Sequence, residues 1–214
     1  MKKQGRTTVI VAAHKAFDSS ILPEGYKVVK VGNKLTDEEA RKLGFIPDNS
    51  GDNISDQNPW YCELTAQYWA WKNLETSVRY VGLSHYRRYF FDYRGGKKFS
   101  DDIISVNRIE EILSEKKIIA SFYSIRYGGE PLLNRSLPKE KQSIHWATIE
   151  KIIQRDYPEY MPALEKILYG RVIIWCNMFI ADRKTSADIR SGFLRYCSNM
   201  TKRSGYWVQT EFCV

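Results

Sequence analysis

The segment from Cys62 to Phe90, CELTAQYWAWKNLETSVRYVGLSHYRRYF, concentrates residue types that do chemistry. It closes on His85-Tyr86-Arg87-Arg88-Tyr89, which places one imidazole, two guanidiniums and two phenols side by side. Adjacent guanidiniums suit a diphosphate, because each presents a planar fork of donors to phosphate oxygens. Tyrosines beside them can stack on a base or sugar ring and donate a hydroxyl. The apolar run before the cluster, Val78 to Leu83, reads as a buried strand. In open α/β sheets ligands bind beyond the carboxyl ends of strands, and that is where this cluster stands. The competing reading is a basic turn satisfied by nearby acids.

Weaker candidates lie elsewhere. Ala13-His14-Lys15 ends a first strand and could contact a nucleotide. Gly51-Asp52-Asn53-Ile54-Ser55 offers a carboxylate, amides and a hydroxyl, which either read a ribose or base edge or close an Asx turn. Asn177-Met178 interrupts an apolar strand with one amide. Burying that amide unpartnered costs ~1–3 kcal/mol, so it either bonds neighbouring backbone or lines a pocket. His145 sits at the start of a helix, as a general base, a phosphate contact or neither. A reaction that inverts configuration needs a general base, for which Glu63, Asp182 and His145 stand unranked. No ligand spacing marks a metal site, and no Asp-x-Asp pair is present to clamp a divalent ion on a diphosphate.

The elements that must position these groups alternate. Thr7 to Ala13 and Tyr26 to Val31 read as strands. Thr36-Asp37-Glu38-Glu39 has the form of a capping box opening a helix that Gly44 closes. Pro59 starts an aromatic helix with Leu64, Tyr68, Trp71 and Leu74 at core-facing spacing. A helix over Ser105 to Lys116, a strand over Lys117 to Phe122 and a long loop over Tyr123 to Gln142 follow. Then come a helix over Ser143 to Arg155, a helical turn over Pro162 to Leu168, an apolar strand over Arg171 to Ala181 and a last helix to about Met200. This alternation predicts an α/β sandwich with a largely parallel sheet. The first βα turn lacks Gly-x-Gly-x-x-Gly, and no P-loop, Gly-x-Ser-x-Gly or His-Glu-x-x-His string occurs.

The chain has 214 residues, which fits a single domain over 1–214. Its net charge of +8 points to an anionic partner. The basic residues are scattered rather than massed, which weakens a single-stranded nucleic-acid reading while leaving it an alternative. The basic C-terminal third, Arg171 to Arg203, fits contact with acidic lipid headgroups. Cys62, Cys176, Cys197 and Cys213 have no C-x-x-C spacing, so reduced thiols are the simplest expectation. The N-terminal apolar run, Val9 to Ala13, is too short for a signal peptide or a membrane span.

Several strings resemble one bacterial family in order. They are Ala12-Ala13-His14-Lys15, Ile21-Leu22-Pro23-Glu24-Gly25-Tyr26, Gly51-Asp52-Asn53-Ile54-Ser55, Tyr61-Cys62-Glu63-Leu64-Thr65-Ala66, Tyr68-Trp69-Ala70-Trp71-Lys72-Asn73, Tyr80 to Phe90, Tyr157-Pro158-Glu159-Tyr160, and Cys176-Asn177-Met178-Phe179-Ile180. The family is that of capsular and exopolysaccharide biosynthesis glycosyltransferases, once filed as domain of unknown function 4422. The resemblance covers about residues 7 to 182, and residues 183–214 depart from the family pattern as a divergent or truncated part.

The resemblance implies a GT-A-like α/β/α sandwich with a central mixed, mostly parallel sheet. It implies transfer of a hexose, galactofuranose or galactose, from a UDP-sugar to a lipid-linked saccharide in capsule, exopolysaccharide or O-antigen assembly. It places the protein in the cytoplasm, peripheral at the inner face of the plasma membrane. His85-Tyr86-Arg87 would stand where related enzymes put Asp-x-Asp, with Arg87 and Arg88 neutralising the leaving diphosphate in place of a divalent metal. His85, Glu63 and His145 are the expected catalytic residues. Ala13, His14, Lys15, Asp52, Asn53, Tyr86, Arg87 and Arg88 are expected at the donor, and Asn177 and Met178 at the acceptor. An inactive, truncated nucleotide-sugar binder is the alternative within the same fold.

Overall fold

The computed structural model describes residues 6–92, 99–124, 139–170 and 172–189; the side chains of 99–100, 121–124, 139–145 and 172–176 fall outside that description. The chain divides into two compact units, Met1–Ala120 with Asn177–Val214, and Ser121–Cys176.

The first unit is built on β1, Thr7–Ala13, whose seven residues are all buried. Three β-branched residues and Thr7-Thr8 suit a central strand that packs on both faces. Strand β1 pairs in parallel with β2, Tyr26–Lys30, on one side and with β4, Tyr80–His85, on the other. Strand β2 continues in parallel to the two-residue β3, Ile46–Pro47. Strand β6, Val172–Asp182, runs antiparallel to β4, and β5, Ile118–Ser124, completes the order β3-β2-β1-β4-β6-β5. The sheet is therefore mixed and mostly parallel, as the alternating pattern predicts.

Alternation along β1 splits the core between two faces. Ile10 and Ala12 join Val29, Ala66, Trp69, Ala70 and Leu83 on one face. Val11 and Ala13 join Val28, Ala40, Phe45, Tyr86 and Ile103 on the other. The first face is covered by α3, Leu64–Asn73, and the second by α1, Asp37–Lys42. Helix α1 opens with the expected capping box: Thr36 Oγ1 accepts from the Glu39 amide, and Glu39 Oε2 accepts from the Thr36 amide. Helix α4, Val106–Glu115, is capped by Ser105, and its Glu110 accepts from Thr7 Oγ1 at 2.7 Å. Residues 183–189 are helical and begin at Asp182, which accepts from Thr185 N and Oγ1.

The aromatic helix differs from its expected form. It is interrupted at Cys62, so a short α2, Asn58–Tyr61, precedes α3. Its inner face also differs. Leu64 and Leu74 are buried, but Trp71 is exposed, Tyr68 is half-buried, and Trp69 takes the core position. Small Ala66 and Ala70 let the helix approach the sheet, and the Trp69 indole N–H donates to Ser50 Oγ at 2.9 Å. Ring size alone misplaces the inner face.

The second unit contains α5, Lys139–Asp156, and α6, Met161–Leu168, joined by a 3-10 turn at Pro158–Tyr160. Ile152, Leu164 and Leu168 are buried there. Helix α5 starts four residues before the expected Ser143. Most of the expected loop over Tyr123 to Gln142, and the chain beyond 189, lie outside the described residues. No helix among the described residues is long and apolar enough to cross a membrane.

Gly82 in β4 shows how closely the sheet is packed. A Cβ there would lie 2.9 Å from Ile180 Cγ1 and 3.3 Å from Val9 Cγ2. Overpacking of this kind costs about 1–3 kcal/mol. Gly82→Ala should lower the unfolding free energy by that amount, read as a fall in the urea midpoint at unchanged slope. An unchanged midpoint for Gly82→Ala would contradict the packing.

Candidate functional site

Because β1, β2 and β4 are parallel, their carboxyl ends leave the sheet at one edge. Register places Ala12 beside His85 and Ala13 beside Lys30. The connections from β1 run to β2 on one side, while β4 flanks β1 on the other, which makes this edge a topological switch point. A cleft of about 250 Å³ opens there, lined from three strand exits and the start of α3.

The exit of β4 is a tight turn. His85 N–H donates to Arg88 O at 3.2 Å and Arg88 N–H returns to His85 O at 3.0 Å. Tyr86 N–H donates to Ala12 O, and Tyr89 Oη donates to Tyr86 O at 2.6 Å, so the turn is tied to β1 and to itself. Burial pushes the Tyr89 phenol up to about 12, which keeps it a neutral donor in that bond. Tyr86 is buried and lines the cleft, and its hydroxyl has no partner among the described residues. Its ring carries the cations: Arg87 Cζ lies 5.0 Å and Lys15 Nζ 5.7 Å from the centroid, and His14 meets it edge-on at 5.1 Å.

The exit of β1 supplies His14, and the exit of β2 supplies Val31, Gly32, Asn33 and Lys34. Gly32 has φ +69, and a Cβ on it would come within 2.8 Å of Asn58 Oδ1. Asn58 also closes the break between α2 and α3. Its Nδ2 donates to Cys62 O at 2.8 Å, and Thr65 Oγ1 donates to the same carbonyl at 3.0 Å. Cys62 is thereby held at φ 49, and the next residue, Glu63, becomes the N-cap of α3 and faces the cleft. Asn177 Nδ2 donates to Glu63 Oε1 at 3.0 Å.

The cleft brings together His14, Glu63, His85, Tyr86, Arg87 and Arg88 from the expected set. Among the described residues Arg87, Arg88 and Lys34 form no ion pair, unlike Lys30 with Asp37 or Arg108 with Asp92. The salt bridges that a self-satisfied basic turn would make are not found there among the described residues. Charge accumulates instead. The His14 imidazole is held below its ordinary pKa, first by partial burial and then by Lys34, Lys15 and Arg87.

Other expected residues fall outside the lining. Asp52 and Asn53 lie at the far end of α3, about 15 Å along a ten-residue helix from Glu63. Asp52 pairs with Lys72 at 3.2 Å and accepts from Tyr68 Oη, while Asn53 Nδ2 donates to Gly51 O. That loop closes on itself and on Asn73 rather than on the cleft. Ala13 and Met178 are core residues, and Lys15 is exposed beside Tyr86. Asp182 caps the helix at 183–189 and pairs in register with Tyr80, the opposite end of β4 from His85. That separation is about 17 Å of strand. His145 lies in α5 of the second unit, and its side chain is outside the described residues.

Sequence reasoning missed Val31 to Lys34, Asn58 and Cys62. A Gly-Asn-Lys string directly after an apolar strand was a legible signal for the first of these. Cys62 also departs from expectation in being disulfide-bonded. Sequence spacing is silent on pairs set by proximity in the fold.

The model of the family described as "Domain of unknown function (DUF4422)" matches residues 8–202. The chain belongs to this family. No functionally curated protein matches the chain. It is similar to a solved structure described as the apo form of WbbM, a bifunctional glycosyltransferase, with 23% identity and a TM-score of 0.69. That match covers 92% of this chain and 37% of the WbbM chain, so this chain spans little more than a third of WbbM's length. The expected α/β sandwich with a mixed, mostly parallel sheet is the fold observed, and it is shared with WbbM.

The His14 environment has a sign that can be tested. As pH falls through about 6.5, the unfolded chain takes up a proton that the folded cleft resists, so stability is lost on acidification. The melting temperature should fall more steeply between pH 7 and pH 5 for the native chain than for His14→Gln. Identical slopes would contradict the lowered basicity of His14.

Proposed function

We propose that this chain is a glycosyltransferase domain whose strand-exit cleft holds the diphosphate of a nucleotide-sugar donor. One observation carries the reading: two guanidiniums, an ammonium and two imidazoles converge on one cleft, with a single carboxylate opposite. Membership of the family and the shared fold with WbbM support it.

The donor we propose is UDP-galactose, in pyranose or furanose form, and the acceptor a lipid-linked saccharide of capsule, exopolysaccharide or O-antigen assembly. With such an acceptor the domain works at the cytoplasmic face of the membrane, and a net charge of +8 suits anionic headgroups there.

In the proposed reaction an acceptor hydroxyl oxygen bonds to the anomeric carbon, and the bond from that carbon to the diphosphate oxygen breaks. The bonding pair departs on the diphosphate, where Arg87 and Arg88 stabilise the growing charge. The hydroxyl proton passes to Glu63, the acid that the cleft contains. Asp182 loses ground as a base, since it caps a helix at the other end of β4. His14 and Lys34 flank the nucleotide. The guanidiniums take the place of a divalent cation.

Calorimetry with UDP tests the binding half. Each of Arg87→Ala and Arg88→Ala should weaken UDP roughly 10–100-fold, the loss of one charged hydrogen-bonding partner. Unchanged UDP affinity in the double variant would refute the assignment. For the chemistry, Glu63→Gln should lower kcat by about 10²–10⁴ with UDP binding retained. Turnover should persist in EDTA, and complete loss there would return a metal to the mechanism.

A further inference from the structure

Glu63 lies between the two non-glycine residues with positive φ among the described residues. Cys62 precedes it in sequence at φ 49, and Asn177, at φ 51, reaches it from 114 residues away. We propose that Asn177 is a positioning residue for the transfer reaction. It fixes the Glu63 carboxylate through Oε1 and leaves Oε2 to take the acceptor proton. This rests on the glycosyltransferase reading and names a residue that acts through its base.

The backbone sets the geometry. Strand β6 pairs with β4 from Tyr80↔Asp182 to Leu83↔Phe179. Two residues further on, Asn177 reaches the level of His85, and there its left-handed φ departs from strand geometry. Asn tolerates that region better than other side-chain-bearing residues, while Gly enters it freely. Gly would therefore serve the bend at least as well. What Asn adds is the amide, and the amide is spent on a carboxylate at the cleft rather than on neighbouring backbone. A neutral donor is also the suitable partner. It orients a carboxylate without pairing away its charge, which a Lys or Arg at the same position would do. Among the described residues no hydrogen bond engages Oε2. On the other flank, the Cys62 carbonyl is tied by Asn58 and Thr65, so the backbone carrying Glu63 is fixed as well.

The substitution Asn177→Gly separates bend from amide. In the full chain it should melt above Asn177→Ala, which loses the same amide but keeps a Cβ at positive φ. With UDP-galactose as the probe donor and octyl β-galactoside as the probe acceptor, Asn177→Gly should lower kcat at least tenfold. Donor KM should stay within about twofold, because only base placement has changed. In the Glu63→Gln background, Asn177→Gly should slow turnover no further, since residues acting as a unit are non-additive. Native turnover by Asn177→Gly, or an equal loss in both backgrounds, would overturn the proposal. Native chain that binds UDP yet never turns over would instead overturn the glycosyltransferase reading beneath it.

Discussion

Repulsion among cations is the constraint that organises this fold's functional edge. Parallel pairing of β1 with β2 and β4 brings three strand exits to one side: β1 delivers His14, β2 the cationic Lys34, and β4 the cationic Arg87 and Arg88. Burial lowers the basicity of His14 first, and opposition from Lys34, Lys15 and Arg87 lowers it further. Three features offset it without removing it. The cleft is open to water, the Tyr86 ring lies under Arg87 and beside Lys15, and Glu63 contributes one negative charge. A residual positive field of this kind attracts and holds anions.

Such a field is most useful when its charges are well placed, and backbone bonds fix the turn that carries two of them. The His85–Arg88 turn closes on itself, anchors to Ala12 and is braced by the Tyr89 hydroxyl. At the β2 exit the backbone of Gly32 passes close to the Asn58 amide, with no room for a Cβ between them. That same amide donates into the Cys62 carbonyl, so one side chain couples the β2 exit to the start of α3. Fixed donors need not reorganise when charge develops, which is the basis of electrostatic stabilisation in proposed transfer chemistry.

Local signals in the sequence were sufficient for β1, the capping box of α1, and the placement of the Arg-Tyr cluster at a strand end. Each is set by neighbours within a few residues, through β-branching, Thr36 to Glu39, or an apolar run ending in polar groups. Positions decided across the fold were not legible. The break at Cys62 comes from Asn58 and Thr65 together, the inner face of α3 from small residues meeting the sheet, and the Asn177–Glu63 bond from β6 lying beside β4. Asp52 and Asn53 misled because turn formers look alike whether they meet a ligand or their own loop. Here they bond Asn73, Tyr68 and Gly51.

The charges of the cleft are also sorted in space, and that sorting constrains any reaction run there. Cations occupy the strand exits, while the carboxylate stands at the N-terminus of α3, beside the positive end of the helix dipole. In the proposed reaction the departing negative charge is stabilised on the first side, and the acceptor proton goes to the carboxylate on the second. A displacement that loses an anion and a proton therefore has one favourable direction through this cleft, with the leaving group toward β4 and the nucleophile toward Glu63. Reversing the substrate would set a diphosphate against the carboxylate and leave the arginines facing a neutral sugar, which costs both favourable contacts at once.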